Sequence, residues 1–338
     1  MEGLNDMPVE QNEEIEEIEE VEQIEEAEEV EQIEEELPVE EALPVEEELP
    51  VEEELPVEEE LPVEEAVEDP EAIKLKYLRS RELVGDQRSA DWLMQRNNYI
   101  TASTSAACSG LMGKVSRKNM INEKVTYGRD KSFFGNAYTK KGNLFEPITN
   151  MIYSKKTGKT IHMFGLIPSD NPEWGFLGAS TDGVTNTLEN IEIKTLARRA
   201  LGKIKREYYQ QMQHQMFCLN LQTTHFIEAK YDEFTDSTEW LAKRGNRESG
   251  AIVNAGGVTS YCPIDEPDAI KWAEAVAPVD SVIYWVLTDY QCLTVARDST
   301  WIDNAGPLLR TFWEEVLHYR EHPEELKELG STLNQCLL

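Results

Sequence analysis

The stretch Gly178-Ala-Ser-Thr-Asp182-Gly183, followed by Ile191-Glu192-Ile193-Lys194, decides how the rest of the chain is read. Alternate side chains of an extended strand share a face. Glu192 and Lys194 therefore point one way, and Ile191 and Ile193 point the other way into a core. Asp182-Gly183 closes one strand, and the gap to Ile191 suits a hairpin that returns Glu192 beside Asp182. Two carboxylates and a lysine then converge on one spot. That is a donor set for a hard cation, since Mg²⁺ takes a couple of carboxylates and completes its shell with water and phosphate oxygens. A pair of such ions about 4 Å apart generates a nucleophile and stabilises the leaving oxygen of a phosphodiester. Lys194 is placed to orient the attacking water. Taken alone, Asp182, Glu192 and Lys194 at this loose spacing equally describe a surface hairpin with an ion pair.

Outward from this stretch the pattern alternates between helix and strand. Residues 71–84 read as helix, and Ser89 is placed to cap a short helix running to Arg96. Ile100-Thr-Ala-Ser103 opens a second, small-residue helix. A longer helix, 136–156, carries Gly142-Asn-Leu-Phe-Glu146 and stops at Thr157-Gly158. Runs 160–167, 175–180 and 190–195 are β-rich, 204–220 is helical, and 223–231 and 281–288 alternate as strands. Gly245–Gly257 is polar and Gly-rich and reads as a loop. Residues 303–320 form a terminal helix. Helices around a small mixed central sheet give an α/β (α+β) domain. Trp272, Trp285, Trp301 and Trp313 read as core, and Met212, Met216 and Leu219 as the packed face of their helix. His214 reads as a packing or surface residue.

Five motifs in order resemble the lambda-exonuclease or YqaJ-type viral recombinase branch of the PD-(D/E)XK nucleases, from about Gln87 to Tyr231. They are Trp92-x-x-x-Arg96 with Ile100-Thr-Ala-Ser103, Gly142-x-x-x-Glu146-Pro147, Gly178-Ala-Ser-Thr-Asp182-Gly183, Glu192-Ile193-Lys194, and Tyr208-x-x-Gln211-x-Gln213. Thr181 stands where that family usually has Pro, a departure expected to alter backbone stiffness and no ligand. The resemblance implies a restriction-endonuclease-like core and a Mg²⁺-dependent deoxyribonuclease, with two ions and Mn²⁺ as the substitute. Such an enzyme degrades double-stranded DNA from a 5′ end, in viral recombination, repair or replication. It further implies that Asp182, Glu192 and the Ile193 carbonyl bind metal and that Glu146 reaches the metals from its helix. Lys194 would polarise the water, Gln211 would support it, and Arg96 with Ser103 would grip the 5′-phosphate. A guanidinium fork and a hydroxyl near a helix start suit a phosphate. Lys114, Arg117, Lys118, Lys124, Arg129, Lys131, Lys140 and Lys141, with Arg198, Arg199, Lys203, Lys205 and Arg206, are expected along the DNA path. The implied partners are double-stranded DNA ends, a single-strand-annealing protein and further copies in a ring. The same residues would also serve a structure-selective endonuclease. A DNA-end-binding scaffold with an idle site is the alternative outside enzymes, and the complete Asp182, Glu192, Lys194 set argues against it.

Net charge at first opposes a polyanionic partner. The 338 residues hold 66 Asp and Glu against 32 Lys and Arg, for a net −34. Residues 1–70, however, contain 33 of the acids and no base, so residues 71–338 are near neutral at −1. The acidic extension comprises an Ile/Val-x-x repeat over 13–36 and five Leu-Pro-Val-Glu-Glu copies over 37–66. The prolines and self-repulsion give a disordered tail before a domain spanning 71–338, with a motif-bearing core over 87–231 and an extension over 232–338. Five scattered cysteines without C-x-x-C spacing read as reduced thiols. No apolar run reaches the roughly 20 residues that cross a bilayer, and the first residues lack a secretory pattern. The expectation is a soluble intracellular protein that, if viral, works in the host cytoplasm or at the virus replication site.

Overall fold

The computed structural model describes residues 69–83, 87, 89–128, 137–197, 200–276 and 280–326. Nearly all of the acidic extension thus lies outside the described residues. The chain begins with α1 (Pro70–Arg81), where Asp69 accepts from the Glu71 amide and Pro70 occupies the first turn. Helix α2 (Ala90–Arg96) is capped by Ser89 as expected, its hydroxyl accepting from the Trp92 amide. Ile100–Thr101 is a short strand, β1, and not a helix start; a 3-10 turn (Ala102–Thr104) and α3 (Ser105–Cys108) follow it. Helices α4 (Gly113–Thr126) and α5 (Ala137–Thr157) come next.

The expected strand over 160–167 breaks in two. Strand β2 (Ile161–His162) and strand β3 (Ile167–Pro168) join different sheets, because β3 pairs with β4 (Leu177–Ala179) while β2 pairs with β5 (Gly183–Thr185). Strand β6 (Glu189–Thr195) returns antiparallel to β5 with Gly183 opposite Ile191, the hairpin the spacing implies. Helix α6 (Arg206–Leu219) then crosses over to β7 (Thr223–Phe234), which runs parallel to β6. Parallel neighbours require such a crossover.

Helix α7 (Ser237–Arg244), β8 (Ser249–Ala255), β9 (Val258–Tyr261), α8 (Ala269–Ala275), β10 (Ser281–Ala296) and α9 (Trp301–Glu321) complete the order. The loop expected over Gly245–Gly257 is corrected by β8, whose Gly250, Ala251, Ile252 and Val253 are buried. Gly250 is required there, because an added Cβ would stand 2.9 Å from the Trp285 ring. The glycines that marked a loop are in part there to let a strand approach an indole.

The main sheet runs β2-β5-β6-β7-β10-β8-β9, and β1-β4-β3 form a smaller one. The α/β class and mixed sheet are as expected, but seven strands make the sheet larger than the short apolar runs suggested. Helix α5 covers one face. Its Phe145, Ile148 and Ile152 pack with Ala229, Tyr231 and Trp285, and its Tyr153 packs with Ile191, Ile193 and Ile227. Helix α6 covers the other through Met212, Met216 and Leu219, joined by Phe226 and by Leu309, Phe312 and Val316 of α9. Trp285 and Trp301 are buried as expected, whereas Trp272 and Trp313 are half-buried against the core. None of the described helices is long and apolar enough to cross a membrane.

Candidate active site

The β5–β6 hairpin and the α6 crossover bring the chemistry-bearing residues to one place. Asp182 sits in the turn before β5, and its Oδ2 accepts from the Ile193 amide at 2.7 Å. Asn150, one turn beyond Glu146 on α5, donates to the Asp182 carbonyl at 3.1 Å. Glu192 projects from β6 on the face opposite Ile191 and Ile193, where α6 buries it to 1 % exposure. Its Oε1 lies 2.8 Å from the Lys194 ammonium. Lys194 also donates to Gln211 Oε1 at 3.3 Å, and its Nζ stands 4.7 Å from the centre of the Tyr208 ring.

Electrostatics follow from this crowding. Burial raises the Asp182 carboxyl well above the usual carboxylate range, and Glu192 and Glu146 add to the rise, against Lys194 and the Ile193 amide. Burial draws the Lys194 ammonium down, yet Glu192, Tyr208 and Asp182 together outweigh it and hold its pKa above the ordinary lysine value. Lys194 is a hydrogen-bond donor held between Glu192 and Gln211. The Asn150 Oδ1 is buried and accepts no hydrogen bond among the described residues. Asp182, Glu192 and the nearby Glu146, with a spare amide acceptor beside them, supply the oxygen donors that a hard divalent cation takes, though their carboxylates do not all lie within 4.8 Å of one another in this structure.

Arg96 and Ser103 meet in a second cluster. The Arg96 guanidinium donates to Ser103 Oγ at 3.0 Å and to Thr101 Oγ1 at 3.4 Å, and it stacks on Trp92 with 4.3 Å from its carbon to the ring centre. Burial pushes its pKa down to about 10, which Glu123 partly opposes. The Trp92 indole donates to Ser180 Oγ at 3.1 Å, tying this cluster to the turn that carries Asp182.

The structure corrects two members of the expected basic path. Lys124 is buried and donates to the Arg96 carbonyl at 2.9 Å. Arg117 makes a two-pronged ion pair with Glu315 of α9 at 2.8 Å per bond. Both hold helices together. Arg129, Lys131, Arg198 and Arg199 lie outside the described residues. Lys114, Lys140, Lys203 and Arg206 are exposed.

Thr181 does more than replace a stiff residue. Its buried hydroxyl lies 2.8 Å from the Gly183 carbonyl, 2.9 Å from the Ile191 carbonyl and 2.5 Å from Asn190 Oδ1, tying the turn to β6. Sequence reasoning also missed Gln215. Its Nε2 donates to Glu192 Oε2 at 2.7 Å and to the Ser180 carbonyl at 3.2 Å. The available signal was its position four residues after Gln211, hence on the same helix face. Gln213, on the other side, donates to the Ala296 carbonyl and accepts from the Asp298 amide. His214 is buried against Trp301, the packing role expected.

Residues 91–226 match the profile of the YqaJ-like viral recombinase domain family. An uncharacterized protein of Acanthamoeba polyphaga mimivirus is 24 % identical over 305 residues, covering 72 % of this chain and 55 % of that protein. The chain thus spans about half the length of this curated relative. Among solved structures, an alkaline exonuclease from Laribacter hongkongensis is similar, with 23 % identity, a TM-score of 0.46 and coverage of 72 % of this chain and 100 % of that one. A phage-related exonuclease from Haemophilus somnus 129PT shows 14 % identity, a TM-score of 0.38 and coverage of 68 % and 96 %.

Proposed function

Since the segment 91–226 is a member of the YqaJ-like viral recombinase domain family, we propose that the chain is a metal-dependent deoxyribonuclease. It hydrolyses phosphodiesters of double-stranded DNA from a 5′ end and serves viral DNA recombination, repair or replication. The observation that carries this reading is the meeting of Asp182, Glu192 and Lys194, with Gln211 on the lysine. Asp182, Glu192 and the Ile193 carbonyl would hold Mg²⁺, with Glu146 beside them. When bound, the cation supplies Lewis-acid chemistry, offsetting phosphate charge and giving a nucleophile at neutral pH.

The chain's own residues do the rest. The Ile193 amide fixes one Asp182 oxygen, so the carboxylate presents a constant face. Lys194 offers an N–H and a positive charge to the water and to charge developing on the phosphate. Gln211 holds that ammonium in place. Arg96 and Ser103 offer donors to a terminal phosphate, which gives the enzyme a preference for 5′-phosphorylated ends. A single-strand-annealing protein and a ring of copies around DNA remain part of the proposed setting.

The test is digestion of linear duplexes, labelled at the 5′ or the 3′ end, beside covalently closed circles, in Mg²⁺ or EDTA. The expected result is immediate Mg²⁺-dependent release of the 5′ label with the circles intact. Cutting of closed circles would replace the exonuclease by a structure-selective endonuclease. Absence of Mg²⁺-dependent hydrolysis of any DNA would overturn the reading.

A further inference from the structure

Helix α6 places three glutamines at alternate positions, and the structure divides them. Gln211 and Gln215 are four residues apart, about one turn, and share a face. Gln211 takes Lys194 and Gln215 takes Glu192. Gln213 faces away to the Ala296–Asp298 segment. Gln215 is 1 % exposed, like the Glu192 it holds.

The orientation of its amide follows from its partners. A carboxylate and a backbone carbonyl are acceptors, so the group facing both must be the NH₂. Gln215 Oε1 then accepts from Asn190 Nδ2 at 2.9 Å. Asn190 in turn donates to Thr224 Oγ1 at 3.0 Å, and its Oδ1 takes the Thr181 hydroxyl. The Gln215 amide is thus fully engaged and held in one rotamer by a buried network that spans β6, β7 and the turn before Asp182.

We propose that Gln215 is a positioning residue for the metal site: it holds the Glu192 carboxylate in register with the Asp182 turn. The proposal rests on the nuclease reading above. One Glu192 oxygen is set by Lys194 and the other by Gln215, so the carboxylate plane cannot rotate. The second N–H of Gln215 grips the Ser180 carbonyl, two residues before Asp182. One side chain therefore sets the separation between the two segments that bear the metal-binding acids. Partners that orient ligands in this way carry about 10- to 100-fold of metal affinity.

The experiment uses the full chain, with Mn²⁺ alone as probe. The Mn²⁺ concentration that raises the melting temperature reports ion bound better by the folded than by the unfolded state. The Mn²⁺ requirement and the KM for DNA ends are measured on the same preparations. Gln215→Met removes both donors at similar length; Gln215→Glu keeps the shape and the acceptor; whichever folds suffices. Gln213→Met, which also strips a buried amide, is the control. The expected result is a Mn²⁺ half-point about 10-fold or more higher in the Gln215 variants, for melting and for hydrolysis alike, with KM for DNA ends unchanged. Gln213→Met keeps the wild-type half-point. A wild type that shifts and cuts beside Gln215 variants of unchanged half-point overturns the role of Gln215 alone. A wild type that neither shifts nor cuts overturns the nuclease reading and this role with it.

Discussion

Asp182, Glu192 and Lys194 form the part of the site that a reader of the sequence can see, because strand alternation fixes which side chains share a face. Gln215 was hidden for a physical reason. A neutral amide has no charge pattern to betray it, and only the helix phase together with the β6–α6–β7 crossover reveals that it covers Glu192. The stiffness expected of Thr181 says nothing of its hydroxyl contacts, because its partners Asn190 and Ile191 belong to the facing strand. His214 shows the same dependence on packing. Burial lowers its pKa from 6.5 to about 3, so the folded protein keeps it neutral. A depressed pKa means that the unfolded chain takes up the proton first as pH falls below 6.5. Stability is therefore lost from pH 6.5 downward, by about 2 kcal/mol at pH 5 from this group alone. Urea midpoints of the wild type and His214→Leu between pH 7 and pH 5 check this: the wild type should lose about that much relative to the variant. A constant difference across the range would contradict it.

At the scale of elements, the long periodic segments were legible, as were the short Ser89-capped helix and the 190–195 strand, while β1 and β8 were not. The helices expected over 136–156, 204–220 and 303–320 appear at Ala137–Thr157, Arg206–Leu219 and Trp301–Glu321. Strand β8 escaped notice because the glycines and charged residues around it outweigh its short apolar run in a sequence window. Lys124 and Arg117 escaped because a helix count of basic residues cannot separate a cation bound to a carbonyl or a carboxylate from one facing DNA. The packing of α9 gives a direct check. A Cβ added at Gly306 would stand 2.5 Å from the Trp174 ring. On an exposed helix, Gly→Ala stabilises by up to about 1 kcal/mol. Here Gly306→Ala should destabilise by about 1–3 kcal/mol, because the half-buried Trp174 ring packed on the core has to shift. Thermal unfolding measures the sign, and a raised melting temperature would show that α9 does not rest on Trp174 in this way.

For the whole molecule, charge is the property that most misleads when averaged. Of the net −34, 33 negative charges are held by residues 1–70, while residues 71–338 are near neutral and carry the site. An attached polyanion repels or competes with DNA within about a Debye length, and salt screens the effect. Deleting residues 1–68 should tighten DNA binding about 5-fold near 50 mM salt and leave it unchanged near 300 mM. Equal affinities of the two forms across the whole salt titration would dismiss any role of the extension at the DNA site. The account as a whole turns on Lys194, which lies beside Glu192 and Asp182. The decisive measurement is the single-turnover rate of 5′-end hydrolysis in saturating Mg²⁺ by Lys194→Ala, against a wild type of matched melting temperature. The account predicts a rate lower by about 10²–10³-fold, the loss expected for a preorganised donor at the reacting phosphate. Mg²⁺-dependent hydrolysis by Lys194→Ala within about twofold of the wild-type rate, far short of that expected loss, would contradict it.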